Sequence, residues 1–536
     1  MPPVLSEDAS YTGMLGAVGS NQHLDRREDN LVALPSGPQK FDEDADALRY
    51  LHPEYSANIL KWKKYSDLYS AEDIYKYIFQ HTRESDDLFE RRVKRGYYYN
   101  YVASLVDLMV AYLYHSPVER KPGNLKGSDL EAIYKDANLC GDTYFVFQQL
   151  VSTFAFLHGH CGILIDAPQE GYRFKSEDER KRAKHRAYLT LVRADQILDW
   201  ELDKFGKFEW VKMEICRPQN RSWKTSVDVD TRYFLIWTRD HWEEWSLSGD
   251  EARRLGEAEH DLGEVPLVIS RNERSLDHKW MGLSVVRDIA DINIGILNWA
   301  SLGDEEIYER CLNVLTMERD DGDAPVALSH NNVLEYSSGT NPPQYLTPGE
   351  SPLKLIKEWI AGAKDEIYRL AKMGGSTGLL GVREATSGIA YAFEFNETNQ
   401  SLGKKAESQE QTEIETHRLI AKWYGKEWDG EITYAREFGV EDFLAQFQLL
   451  SEARMTLTSD TAIKELENKT LAKMFAREKQ DLRARIFEEV QKADARGIGL
   501  FENFGTTPAA MTGTSKPKSR DKGSATGSKS EKKKDK

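Results

Sequence analysis

The sequence predicts an α+β fold, mainly helical, on three observations. Apolar residues recur at helical spacing in Val285, Ile289, Ile292, Ile296, Trp299 and Leu302, and again in Leu355 or Ile356, Trp359, Ala363, Ile367 and Leu370. Between Tyr188 and Ser270 the pattern turns to short, strand-like alternation with Gly or Asp turns. A third helical pattern runs without interruption from about Ser387 to Tyr424. At 536 residues the chain exceeds one compact core, so about two to four domains are expected.

The elements follow in chain order. From Asp44 to Ser116 the spacing is helical, with Ser70 and Ser85 as N-caps and Pro117 beyond the end. Leu88, Val102, Leu105, Leu108, Met109 and Leu113 supply the apolar positions. Thr143 to Leu157 forms a further helix, and Cys161 to Pro168 a short apolar strand. The charged stretch Arg173 to Arg186 reads as a solvated insertion. The strand block holds Tyr188 to Val192, Phe208 to Met213, Tyr233 to Trp237, Trp242 to Trp245 and Val265 to Ile269, a sheet at least partly antiparallel.

Ser284 then caps a helix running to about Arg310. Leu312–Thr316, Pro325–Leu328 and Val333–Tyr336 are β-like runs separated by turns. Ser351-Pro352 opens a second long helix that Gly374-Gly375 closes, and the two helices read as antiparallel partners. The loop Ser376 to Thr386 is Gly-rich. The helix after it is strongly polar between Asn396 and Glu415, and its length suggests burial in an oligomer. A strand at Glu431–Tyr434 and short helices at 441–454, 459–466, 470–475 and 483–493 complete the chain.

Net charge is -16, with 40% hydrophobic and 30% charged residues. Such acidity disfavours tight phosphate binding but permits DNA to slide past a repelling wall. The segment Lys516–Lys536 carries a net +6, leaving -22 on the remainder. It is rich in Ser, Gly and Thr and is expected to be disordered, as are residues 1–44. No signal-peptide pattern and no apolar run of membrane-spanning length occurs, so a soluble protein is expected. Cys140, Cys161, Cys216 and Cys311 are widely spaced and read as buried free thiols in a reducing cytoplasm.

Two motifs for common catalysis are missing: GxxxxGK[ST] and HExxH do not occur. His158-Gly-His160-Cys161 offers three soft metal ligands in four residues, but lacks further ligands at suitable spacing. Asp304-Glu305-Glu306 could in principle hold a cation or perform acid–base chemistry, but without partner residues it fits a solvated helix face far better. The Tyr97–Tyr101 cluster fits a core or interface better than base stacking. No catalytic residue, metal site or cofactor is expected.

Tyr97 to Pro117, His158 to Pro168, Gly282-Leu-Ser-Val-Val-Arg-Asp-Ile-Ala-Asp-Ile-Asn through Ser301, and Thr386-Ser-Gly-Ile-Ala390 occur in an order that resembles the portal proteins of tailed bacteriophages. The likeness covers about residues 45–480 and rests on the order of elements. It implies a ring subunit with a wing (45–283 and 387–440), stem helices (284–310 and 351–374), a clip (311–350), a tunnel loop (375–386) and a helical crown (441–504), followed by the basic tail 505–536. It further implies a homo-oligomeric ring of about twelve subunits. That ring would pass double-stranded DNA without sequence specificity and dock the terminase large subunit and the head–tail adaptor. It would also contact major capsid and scaffold proteins. The location would be a capsid vertex of the virion, after assembly in the host cytoplasm. Tunnel-loop residues would be Ser376, Thr377, Leu379, Leu380, Val382, Arg383 and Glu384, with Arg383 the basic contact to phosphate; stem residues would be Asp288, Asp291, Asp304, Glu305, Lys357 and Lys364. The alternatives are another structural or minor head protein and a metal-dependent hydrolase using the His158/His160 region.

Overall fold

The computed structural model describes residues 40–125, 130–167, 186–217, 230–310, 314–316, 344–346, 351–373, 388–436 and 438, together with isolated positions beyond 460. The chain divides into two compact units, Met1–Phe438 and Gly439–Lys536, and the first holds nearly all described residues. Among the described residues the fold is α+β, 50% helical and 21% strand.

The N-terminal block is four helices: α1 (Asp44–Arg49), α2 (Pro53–Ser70), α3 (Asp86–Arg95) and α4 (Tyr101–Leu113). Local chemistry sets their ends. Pro53 occupies the first turn of α2, where its missing N–H costs nothing, and the His52 ring accepts from Glu54 N. Ser85 caps α3 by accepting from Leu88 N, and Asn100 caps α4 by accepting from Ala103 N. Ser70, expected to open a helix, instead ends α2; Ala71 follows in the left-handed region at φ 59°. The acids after Ser70 satisfied the N-cap pattern, but the apolar stripe of α2 runs up to it.

Helices α5 (Leu130–Lys135) and α6 (Tyr144–His158) follow, with strand β1 (Glu119–Lys121) before them. Thr143 caps α6 through Val146 N, and Gly159 ends it at φ 95°. Strand β2 (His160–Asp166) runs antiparallel between β3 (Tyr188–Arg193) and β9 (Leu267–Arg271). Its central position explains its near-continuous burial.

A second sheet is a five-stranded antiparallel meander: β4 (Ile197–Leu202), β5 (Phe208–Ile215), β6 (Thr231–Thr238), β7 (His241–Ser248) and β8 (Glu251–Glu259). The expected single block is thus two sheets, and every described pairing is antiparallel. Strand β8, Glu-Ala-Arg-Arg-Leu-Gly-Glu-Ala-Glu, carries no strand signal in its composition. It exists because β7 supplies a full ladder partner, and its charges suit an exposed edge. Lys212 of β5 is buried and donates to Ala47 O (2.8 Å) and Tyr50 O (2.6 Å), capping the C-terminal end of α1. Arg186, read as part of a solvated insertion, is buried against Ala187 O and Asp136; residues 168–185 lie outside the described residues.

Three helices complete the unit: α7 (Ala290–Arg310), α8 (Ser351–Leu370) and α9 (Gly388–Trp423). Strands β10 (Val314–Thr316) and β11 (Gln344–Leu346) pair between α7 and α8, and β12 (Glu431–Thr433) pairs with β1. The runs 325–328 and 333–336 lie outside the described residues.

Helix α9 ties much of its polar stretch into the unit itself. Thr398, Gln409, Glu413, Thr416 and His417 are buried within the unit itself. Partners come from β9 and its exit: Lys405 Nζ bonds Asn272, Ser408 Oγ donates to Arg271 O at 2.6 Å, and Gln409 pairs with Ser270. Farther along, Arg120 of β1 makes a two-pronged 2.7 Å pair with Glu413, which also accepts from the Tyr434 hydroxyl. Burial opposes charge on Arg120, yet the Glu413 carboxylate outweighs it and holds the guanidinium protonated. Tyr134 pairs with His417 at 2.9 Å, and Trp423 Nε1 donates to Ile165 O. The helix is a core element whose register is set by directional bonds.

Removing one partner of the Arg120–Glu413 pair leaves a buried charge uncompensated, at about 3–5 kcal/mol. Arg120→Met is expected to lose that much in urea unfolding. Adding Glu413→Leu should recover most of it. A single variant within about 1 kcal/mol of the parent would refute the pair's role.

Candidate functional site

The helix pair α7–α8 is the candidate site, and the segment before it fixes its start. Gly159 and Gly282 cross so closely that a side chain on either would strike the other's backbone. Ser284 Oγ then donates to Leu157 O, and Val285 N to Phe156 O at 3.0 Å, satisfying carbonyls left open at the end of α6. Ser284 Oγ also accepts from Val286 N at 2.9 Å. The expected cap is therefore real, but it opens a 3₁₀ turn at Val286–Asp288, and the α-helix begins at Ala290. With 21 residues α7 spans about 32 Å, shorter than the 284–310 stretch predicts.

A polar edge seats the first half of α7. Asn293 is fully buried; its amide donates to Tyr99 O (2.9 Å) and accepts from Tyr98 Oη (3.0 Å) and Val102 N (3.3 Å). Asn298 accepts from Phe79 N and donates to Tyr77 O, both at 2.8 Å. Ser301 Oγ accepts from Arg92 at 2.8 Å, and Arg92 also grips Glu84 with two 2.7 Å bonds and donates to Phe79 O. Irregular backbone between α2 and α4 thus finds its hydrogen-bond partners on α7. Beyond Ser301 the contacts become ionic. Arg95 meets Asp304 at 2.9 Å and Glu305 at 3.1 Å, and Arg91 reaches Glu305 at 3.4 Å. The guanidinium of Arg95 lies 3.8 Å from the Tyr308 ring centroid.

Helix α8 packs antiparallel on the other side. The Trp359 ring sits over Gly295, where an added Cβ would come within 3.1 Å, and Ile356 sits over Gly303 at 3.4 Å. Trp299 and Trp359 lie 5.6 Å apart and both remain more than 40% exposed. Leu355, Ile307 and Tyr308 are also exposed, so the outer part of the pair presents an apolar surface. Helix α8 stops at Leu370, before Gly374: Lys372 takes the left-handed position at φ 58°, and Met373 N returns to Tyr368 O at 2.9 Å.

The expected stem residues fall in three environments. Asp288 and Asp291 are exposed beside Arg287 and Lys64. Asp304 and Glu305 turn toward α3 and meet arginines. Lys357 and Lys364 are exposed on α8, with Asp365 4.0 Å from Lys364. Ser376, Thr377, Leu379, Leu380, Val382, Arg383 and Glu384 lie outside the described residues. The structure brings Asp304 and Glu305 together with Arg91 and Arg95, a grouping the sequence reading missed. The signal available was slight: a dense basic run in α3 and an acidic run in α7, far apart in sequence.

The histidine pair belongs to the core. His158 Nε2 lies 2.8 Å from Ser66 Oγ. His160 sits among Trp62 and Trp280, with Trp200 packed on Trp280 and His52 stacked on Trp200. Burial lowers His158 to about 4 and His160 to about 3, so both rings are neutral near pH 7. Among the described residues no group of three His, Cys, Asp or Glu is arranged to hold a metal ion. Of the cysteines, Cys161 is buried as expected, but Cys140 and Cys216 are exposed because they sit in a turn and at a strand end; Cys311 lies outside the described residues. Among the described residues no helix is long and apolar enough to cross a membrane.

No protein-family model matches the chain, and no curated protein matches it. Solved structures with local similarity include a chain from the neck of an empty gene transfer agent particle, at 11% identity and a TM-score of 0.42, covering 68% of this chain and 89% of that one. A chain from the virion of a native gene transfer agent particle gives 13% identity and a TM-score of 0.40, with 68% and 89% coverage. A chain from the neck of the native particle gives 12% and 0.40, with 68% and 88% coverage.

Neutral burial of His158 and His160 has a consequence for pH. Their folded values lie below the unfolded value of about 6.5, so the unfolded chain binds more protons at acid pH. The stability they support is complete above pH ~6.5 and falls as pH drops toward 4, by on the order of 2 kcal/mol per histidine at pH ~5. Burial lowers His52 and His417 as well, in the same direction. Urea midpoints measured from neutral to mildly acid pH should decline accordingly. A flat profile would contradict neutral burial.

Proposed function

We propose that this chain is the portal subunit of a tailed bacteriophage or a phage-like particle, a structural protein rather than an enzyme. The reading rests on one observation above the others. An antiparallel helix pair, α7 and α8, brackets a segment closed by the β10–β11 ladder, and the pair is seated in a body built from the N-terminal helices, two antiparallel sheets and α9. That is the order of parts expected of wing, stem and clip.

In this reading residues 45–283 and 387–440 form the wing, 284–310 and 351–374 the stem, 311–350 the clip, 375–386 the tunnel loop and 441–504 the crown. A closed ring of about twelve copies needs a heterologous interface, and the apolar, half-exposed stem surface offers area for one. Asp288, Asp291, Lys357 and Lys364 would be stem charges, and Arg383 the tunnel contact to phosphate. The net charge of -16 suits a channel that gives double-stranded DNA no deep binding minimum. The clip would dock the terminase large subunit during packaging and the head–tail adaptor afterwards, with scaffold and major capsid proteins around the ring at the vertex.

Electron microscopy of the purified protein, with native mass alongside, tests the reading. A closed ring of about twelve subunits around an axial channel is expected. A compact dimer without a channel, binding stoichiometric metal, would overturn it.

A further inference from the structure

The two halves of α7 are held by different physics. Up to Ser301 the helix is fastened mainly by neutral side chains, buried Asn293, half-buried Asn298 and buried Ser301, whose partner Arg92 is buried, with one exposed ion pair, Lys64–Asp291, at its start. Past that point the fastening to the body is ionic and open to water. The side chains of Arg91, Arg95, Asp304 and Glu305 are 51%, 31%, 28% and 13% exposed. Gly303 lies at the change. A glycine inside a helix weakens it locally and has no side chain to brace the turn. Its neighbour Ile356 belongs to α8, which travels with α7, so this contact does not anchor the distal half to the body.

We propose that Arg91 and Arg95 form a latch on Asp304 and Glu305 that sets the angle at which the outer half of α7 leaves the body, with Gly303 as its hinge. Half-exposed ion pairs hold their partners over release by only about one- to five-fold each, and salt screens them further. The closed arrangement is therefore the major state of a soft element, and a partner that offers carboxylates to Arg95 or cations to Asp304 and Glu305 would open it. Tyr308 adds to the closed state by stacking on Arg95. If α7 is a stem helix, as proposed above, the latch regulates the tilt of the stem. The latch itself does not depend on that reading.

Hydrogen–deuterium exchange on the full-length protein tests it. Raising NaCl from about 0.05 M to about 1 M should speed exchange over residues 304–310 by about five-fold and leave 290–301 unchanged. The double variant D304N/E305Q should reach the fast rate at low salt and lose the salt response. Reversing the charges, R91E and R95E with D304R and E305R, should restore slow exchange and the salt response. G303A should slow exchange in both salts, because the added Cβ lies 3.4 Å from Ile356, an ordinary contact that stiffens the hinge. Unchanged exchange in D304N/E305Q, or equal acceleration across 290–310, would overturn the latch. Native mass on the same samples reports the ring separately, so failure of either idea is seen on its own.

Discussion

Three side chains on one edge of α7 decide where the helix pair stands. Asn293 and Asn298 bond backbone groups of Tyr77, Phe79, Tyr99 and Val102, and Ser301 accepts from the buried Arg92 side chain. Burial without those bonds would cost several kcal/mol in desolvated peptide groups, on the order of 1–3 kcal/mol apiece. Apolar packing tolerates sliding and rotation. An amide that must meet Phe79 N on one side and Tyr77 O on the other does not. The polar edge therefore gives α7 one register and one direction, and α8 inherits both through the Gly295 and Gly303 notches.

The same device recurs at α9. Its bonds to Ser270, Arg271 and Asn272 and the Arg120–Glu413–Tyr434 cluster bind one long helix to both β9 and the β1–β12 ladder. Such networks add little net stability against a well-packed apolar core, but they penalise any other arrangement heavily. Both ends of the α8–α9 connection, Met373 and the buried turns of α9 from Thr398 onward, are thereby referred to one rigid body.

Much of the architecture was legible from periodicity. The spacing of Val285 to Leu302 and of Leu355 to Leu370 located α7 and α8, and the Thr143 and Ser85 caps fall where hydroxyl chemistry requires them. Strand β8 was hidden because its composition is charged, and only pairing with β7 makes it a strand. The partners of α9's polar stretch were hidden for a related reason: nothing local to that run of Thr, Gln, Glu and His points to β9 or Tyr434, which answer it. Of the candidate site, Asp304 and Glu305 were singled out on the acidic run alone, while Arg92, Arg95, Asn293 and Asn298, which carry the geometry, were not. Their partners lie about two hundred residues away in sequence, and no local pattern encodes such a distance.

Amide exchange at Phe79 is the most direct measurement of the central claim. This amide lies outside any regular element, and it donates to the Asn298 side chain at 2.8 Å. If the polar edge seats α7, Phe79 N–H should be protected to the level of the buried turns of α7 and open only when the unit unfolds. Exchange at the rate of an exposed loop would contradict the account and leave the direction of the helix pair without a cause.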